Sequence, residues 1–346
     1  MSLKETLRGA SSRALVASGA TVLGRALGDR DGALVLYGHR VGHGEIGFFP
    51  ALRPERFDAQ LAYLARTYEI ISLETLLECF ETGQPVPERS VVLTFDDGFY
   101  DNYEHALPIL EKHRAPATVF VVTDSLETGD VPWPQRLGHL LQHAPEARLH
   151  DDLVGGEMPL ATEAERRAVY GTLLETIKSF PLERRLAALD RLGVKLKTPR
   201  YEGGMIDWEI AREMTARGVS IGAHTVTHPW LARIPKAEAR REMEGSRDAV
   251  RQRLSVDRPT FCFPGGSVNR DLLALVPELG FRSSFVKDRS IRFNRPGRVT
   301  PHTISRLGLP YAPAHHLEAE IDGPFHPLRQ RLNALRGKPT GSALDE

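Results

Sequence analysis

Apolar runs and amphipathic stretches take turns along most of the chain. GALVLYGHRV (32–41) is bounded by glycine and charge and predicts a buried strand. PERFDAQLAYLARTY (54–68) carries Phe57, Leu61, Leu64 and Ala65 at helical spacing. EIISL predicts the next strand, and ETLLECFETG a helix closed by Gly83. SVVLTF (90–95) and ATVFVVT (117–123) predict strands on either side of a helix, YEHALPILEKHRA. This alternation implies a parallel sheet with crossover helices, an α/β protein.

From about 125 to 200 the rhythm changes. WPQRLGHLLQHA, TEAERRAVYGTLLETIKSF and LERRLAALDRLGV predict three amphipathic helices with no strand between them, a helical insertion. The alternation then resumes. MIDWEIAREMTARG predicts a helix, VSIGAH a strand and KAEARREMEGSRDAVRQRL a long solvated helix. PTFCFPGG predicts a strand and turn, RDLLALVPELG a helix, and FRSSFV a strand. The main domain so delimited spans 31–320. Residues 321–346, rich in Arg, Pro and Gly, are expected to form a poorly packed tail. Residues 1–30 predict an amphipathic extension whose plain role is to cover the protein's own surface. The sharper reading is an interfacial anchor that lays Leu15, Val16, Val22 and Leu23 on a membrane.

Composition narrows the class. The 346 residues suffice for one large α/β domain with an insertion. No stretch approaches the ~20 apolar residues of a membrane span. The N-terminal apolar part is broken by glycine and by Arg25, short of the clean core of a secretory signal. The expected setting is therefore cytoplasmic, with peripheral contact at the inner membrane as its variant. Forty-five basic residues balance forty-five acidic ones, which argues against nucleic acid as a partner. The two cysteines, Cys79 and Cys262, form neither a disulfide framework nor a CxxC zinc pair.

Two stretches carry chemistry. In VLTFDDGFYDNY (92–103) an apolar strand runs straight into Asp96 and Asp97. Adjacent carboxylates raise each other's pKa unless a cation or a reaction uses them. An Asp-Gly step also marks ordinary turns. In GAHTVTHPWL (222–231), His224 and His228 stand four apart just past a strand, a two-histidine metal spacing. Parallel α/β proteins bind ligands at the carboxyl ends of their strands, where both stretches lie. Gly98 lets the chain turn there. One carboxylate can then join the two imidazoles in a His₂Asp metal set with open positions, while the other stays free beside it.

These motifs resemble the polysaccharide deacetylase family (NodB homology, carbohydrate esterase family 4). TFDDG (94–98) is similar to its first motif and HTVTH (224–228) to its H-[ST]-x-x-H motif. PTFCFPGG (259–266) is similar to the F-x-Y-P-x-G segment of bacterial members, and YGHRV (37–41) to a Y-H-x-V strand. The resemblance covers about 33–125 and 204–309. It implies a distorted (β/α) barrel of the NodB type. It implies Asp97, His224 and His228 as ligands of a divalent metal, zinc first, with cobalt, nickel or manganese as alternatives. It implies Asp96 as the general base toward the attacking water and the Tyr100 backbone amide as a holder of the oxyanion. The family's general acid is a histidine in a motif like L-L-L-H-D. VLYGHRV is similar to it but precedes TFDDG, which suggests a circularly permuted order with His39 as the acid and His302 as a weaker candidate. Cys262 stands where many members have the arginine that orients the base, so Arg306, in ISRLGL, is expected to supply that charge. Pro264, Gly265 and Trp230 are candidates for the substrate groove, although a turn is the first reading of Pro264 and Gly265 and core packing that of Trp230.

The function this implies is metal-dependent hydrolysis of N-acetyl groups from amino sugars of a polysaccharide or lipid-linked glycan. Another non-peptide amide hydrolase and an O-acetyl esterase are the enzymatic alternatives. A non-catalytic carbohydrate-binding relic is the alternative from another class.

Overall fold

The structure is a computed structural model that describes residues 3–27, 31–201, 204–288 and 292–323. Most of the expected tail therefore lies outside the described residues. Seven parallel strands organise the molecule: β1 (Ala33–Gly38), β2 (Ser90–Asp97), β3 (Ala117–Val121), β4 (Val219–Ala223), β5 (Thr260–Cys262), β6 (Ser283–Val286) and β7 (Ile304–Ser305). They pair side by side in that order. Leu307–Gly308, two residues beyond β7, pairs in parallel with β1. The short run 304–308 thus joins the last strand to the first, and the sheet curls into a nearly closed barrel with Arg306 at the seam.

Strand periodicity sorts the side chains. Leu34, Leu36, Val91, Leu93 and Phe95 pack outward against helices such as Pro54–Thr67. Ala33, Val35, Val92, Phe120, Cys262, Phe285 and Ile304 form a separate cluster inside the barrel. All eight residues of β2 are buried, as expected of a parallel strand covered on both faces. Asp96 shares its parity with Val92 and Thr94 and so faces inward.

The insertion has its own apolar core. Helices Trp133–Gln142, Glu163–Ile177 and Leu182–Leu196 bury Leu137, Leu141, Val169, Leu173, Leu189 and Leu192 against one another. A hairpin of Arg148–Asp151 with Gly156–Pro159 lies between the first two helices, where the sequence reading places no strand. Its strands are four residues each and turn through Gly155 and Gly156 at positive φ, too short for a periodicity signal.

The N-terminal extension is two helices, Leu3–Ala17 and Ala20–Leu27, parted at Gly19. They pack on the helix Ala314–Asp322. The Thr21 hydroxyl donates to Glu318 (2.8 Å), and Arg25 pairs with Asp322 (3.2 Å). Asp322 is buried and also accepts from the hydroxyls of Tyr63 and Tyr68. The helix therefore packs two residues past the expected domain edge at 320. Leu15 and Val16 are half-buried, whereas Val22 and Leu23 are about three-fifths exposed (59% and 61%). Among the described residues no helix is long and apolar enough to cross a membrane.

Candidate metal centre and catalytic cleft

The strand registers bring the motifs to one level. Asp97 stands opposite Val121 of β3, and Val121 opposite Ala223 of β4, the residue before His224. Gly38 stands opposite Phe95, which sets His39 level with Asp96. By strand alternation Asp97 would face away from Asp96. The chain instead turns at Asp97 itself, which adopts φ 78°, with Gly98 following at 86°. Thr225 (69°) and His228 (59°) are also left-handed. Such backbone is unfavourable for residues with a Cβ and gathers at functional sites.

Asp97 Oδ1 lies 3.5 Å from His224 Nε2 and 3.3 Å from His228 Nε2. All three residues are buried, and this oxygen has no hydrogen-bond partner. The protonation state follows from the neighbours. His224 Nδ1 is 2.7 Å from the Cys262 carbonyl, which can only accept, so Nδ1 carries the hydrogen. Burial lowers the His224 pKa to about 4, and the ring is neutral near pH 7. Its Nε2 lone pair therefore points at a carboxylate oxygen. Burial pushes the Asp97 pKa up, but the imidazoles of His228, His39 and His224 outweigh it and leave the group below the ordinary range. The His224 lone pair and the Asp97 carboxylate thus face one another as buried acceptors, with His228 beside them, which is costly. A divalent cation among them satisfies all three, so the residues present fit a metal. His224 has the carbonyl partner on its second nitrogen that metal-ligating histidines ordinarily have.

Asp96 is the opposite case. Arg306 Nη1 and Nη2 donate to its Oδ1 and Oδ2 at 2.7 and 2.8 Å, a bidentate pair. Nη1 also donates to Thr94 Oγ1 (3.1 Å), and Nη2 lies 2.8 Å from Cys262 Sγ. The guanidinium rests over the Tyr37 ring, 4.7 Å from its centroid. Burial raises the Asp96 pKa, but Arg306 more than reverses this, and the carboxylate stays ionised. Burial likewise holds the Cys262 sulfur as a thiol. Asp96, His224 and Cys262 also cluster closely enough for a metal. That set fits a cation poorly, because Arg306 already occupies both carboxylate oxygens and the sulfur.

The structure brings Asp96, Asp97, His224, His228 and Arg306 together. His39 borders them: its carbonyl accepts from Asn102 Nδ2 (3.0 Å), and its imidazole acts electrostatically on both aspartates. Pro264, Gly265 and Trp230 form a wall past His228. Gly265 adopts φ 62° and lies flat on the indole, where a Cβ would come 2.7 Å from Trp230 Nε1.

Two expectations are corrected. The Tyr100 backbone N–H donates to the Gly204 carbonyl at 2.8 Å, because segment 98–100 pairs with 204–206. It is committed to the fold and is not free for an oxyanion. His302 precedes β7, at the amino end of the barrel, where its carbonyl accepts from Ser284 Oγ. Nothing places it with the carboxyl-end cleft.

The sequence reading missed residues of the insertion that reach the site. Gln135 Nε2 contacts Asp97 Oδ2 at 3.4 Å, and Trp133 Nε1 donates to the His228 carbonyl at 2.8 Å. It also missed Tyr311, whose phenol is pushed up to about 12 by burial and by the nearby Asp97 and Tyr37. None belongs to a motif; only the Trp-Pro-Gln helix start gave any local signal.

With this geometry in view, comparison with known proteins identifies the class. The polysaccharide deacetylase family model matches residues 83–284, more than half of the chain, and the chain belongs to that family. Poly-beta-1,6-N-acetyl-D-glucosamine N-deacetylase of Escherichia coli (strain K12) is 37% identical over 70 residues, 20% of this chain and 10% of that protein. The enzyme of the same name from Staphylococcus epidermidis is 33% identical over 73 residues, 21% of this chain and 25% of that protein. The chain thus spans a quarter or less of these relatives' lengths. Two solved structures share the fold. Streptococcus pyogenes deacetylase PplD, solved with acetate, has a TM-score of 0.55 at 17% identity and covers 84% of this chain and 97% of its own. IcaB from Ammonifex degensii has a TM-score of 0.54 at 19% identity and covers 84% and 95%.

Proposed function

We propose that this protein is a metal-dependent N-deacetylase of an N-acetylated glycan or glycolipid. The observation that carries the reading is the contrast at the end of β2: a buried carboxylate converging with two imidazole nitrogens, directly beside an arginine-clamped carboxylate. The relatives named for poly-beta-1,6-N-acetyl-D-glucosamine support β-1,6-linked N-acetylglucosamine as the first substrate to try.

Asp97, His224 and His228 would hold the cation, with zinc ahead of cobalt, nickel or manganese. A cation bound there supplies Lewis acidity toward the acyl carbonyl and makes a nearby water more acidic. Asp96 accepts the proton as water attacks the carbonyl carbon. Arg306 keeps Asp96 ionised and fixes the direction of its free lone pairs. The low proton affinity of Asp96 makes it a weak base, so the water must be acidified for the transfer to proceed. His39 donates a proton to the departing amine nitrogen as the C–N bond breaks, releasing acetate and a free amino sugar. Trp230 offers an aromatic face to a sugar ring, and Pro264 and Gly265 border it.

The test is acetate release from β-1,6-linked N-acetylglucosamine oligomers and from chitooligosaccharides. Wild type and Asp96→Asn are compared with chelator and with added zinc. Release that chelation and the substitution abolish, and that zinc restores, is the expected result. No release from an enzyme carrying one metal per chain overturns the substrate assignment. Release from O-acetylated sugars alone would establish the esterase reading instead.

A further inference from the structure

The loop that carries both histidines is held in an unfavourable shape. Thr225 and His228 are left-handed although neither is glycine, and such backbone persists only where its surroundings over-determine it. Part of the restraint comes from the barrel. Glu242, on helix Lys236–Leu254, accepts from the amides of Val226 (2.9 Å) and Thr227 (2.8 Å) and from the Thr227 hydroxyl.

Backbone bonds from Thr123 and Asp124 and the His228 amide on Thr225 Oγ1 add to it, and a further part comes from the insertion. Arg185, on helix Leu182–Leu196, is 1% exposed, the largest side chain buried so completely. Its Nη2 donates to Thr227 Oγ1 at 2.8 Å, from the side opposite Glu242. Thr227 therefore uses its one hydroxyl hydrogen toward Glu242 and a lone pair toward Arg185. The guanidinium lies 5.7 Å from the Trp133 ring centroid, and Trp133 in turn donates to the His228 carbonyl. Arg185 Nη1 has no hydrogen-bond partner. Burying a guanidinium that is only partly satisfied is expensive. A leucine or methionine would fill the same space at less cost, so packing alone does not account for the arginine.

We infer that the insertion braces the metal-ligand loop, with Arg185 acting through Thr227 as a positioning residue that sets the metal affinity of His228. The inference rests on the metal-site reading above. The insertion thereby becomes part of the site's support rather than an appendage beside it. Arg185 and Trp133, from the insertion, and Glu242, from the barrel's own helix, thus bind the same loop.

The test measures zinc affinity of the full-length, metal-stripped protein by competition with a fluorescent chelator. The melting temperature in EDTA is recorded in parallel. Thr227→Val removes the hydroxyl at nearly constant shape, Thr227→Ser keeps it, and Arg185→Met removes the donor. Loss of such outer partners ordinarily weakens metal binding by about 10- to 100-fold. That loss is expected for Thr227→Val and Arg185→Met, with Thr227→Ser close to wild type. The visible spectrum of the cobalt-loaded protein should shift in the same two variants. Unchanged zinc affinity in Thr227→Val, whatever its melting temperature, overturns the brace; that variant also decides the matter should Arg185→Met fail to fold. Asp97→Asn separates the two readings. Wild-type zinc binding that this substitution leaves intact would overturn the metal site itself, and the brace with it.

Discussion

The cleft has two sides with opposite electrostatic designs. On the Asp96 side, Arg306 donates to both carboxylate oxygens and is itself surrounded by Thr94, Cys262 and the Tyr37 ring. On the Asp97 side, a buried carboxylate oxygen and two imidazole nitrogens converge, and His224 offers that oxygen a lone pair rather than a hydrogen. These carboxylates are neighbours in sequence, so the difference comes from the elements each one meets. The charge-balanced side is built for a stable anion, and the unbalanced side for an added cation. A protein that needed only stability would have balanced both.

Substitutions sharpen this contrast because they should act with unequal force on stability. Arg306→Met strands Asp96 as an uncompensated buried charge, which costs about 3–5 kcal/mol. Urea unfolding should show that loss, and acetate release should fall at least ~100-fold as the base loses its orientation. Equal stability of this variant and wild type would break the comparison. Acidification separates the two sides next. In the metal-free protein, His224 has its proton affinity depressed from 6.5 to about 4. Between those values the unfolded chain binds a proton that the folded chain refuses. Stability should therefore be flat in this term above pH 6.5 and fall from there to about pH 4. Asp96 has its pKa lowered below 3.8, so its contribution is present above 3.8 and is lost only below it. Denaturation curves of apo protein across pH 3–8, with His224→Gln as the control, resolve the two windows.

Smaller effects test the details. Asp97→Asn should abolish metal binding yet change the stability of the apo protein by no more than about 1 kcal/mol, because the amide keeps the shape and can donate to the His224 lone pair. Calorimetry with and without zinc would show the difference; a large loss of stability in the apo variant would contradict it. Cys262→Ser keeps an acceptor for Arg306 Nη2 and should change stability by no more than about 1 kcal/mol, with activity retained. A large loss there would mean that the sulfur does more than receive the guanidinium.

Six of the seven strands were legible because each is a short apolar run bounded by turn or charged residues; β7, only two residues long, was not. Asp96, Asp97, His224 and His228 were legible because charge at a strand end has no structural use of its own. Arg306 could be named only through the resemblance, because Cys262 stands where many members have the arginine and ISRLGL holds a lone charge. Contacts that depend on distant pairing were not legible. The Tyr100 amide is taken by Gly204, more than a hundred residues later, and no local feature announces it. Trp133, Gln135 and Arg185 read as ordinary members of amphipathic helices, because periodicity shows that a face is buried but not what it is buried against. The hairpin at 148–159 was lost for a simpler reason: four-residue strands hold too few positions to establish a period.

The seam of the barrel has a consequence for how the molecule comes into being. Arg306 lies between the residues that pair with β6 and those that pair with β1. Closing the sheet and neutralising Asp96 are therefore a single event. A chain emerging from the ribosome has both aspartates and both histidines translated well before Arg306. Until Arg306 is translated, Asp96 has no guanidinium to pair with. Completion of synthesis and onset of competence are thus coupled through one guanidinium, and an incompletely folded chain carries the parts of the site without the assembled base.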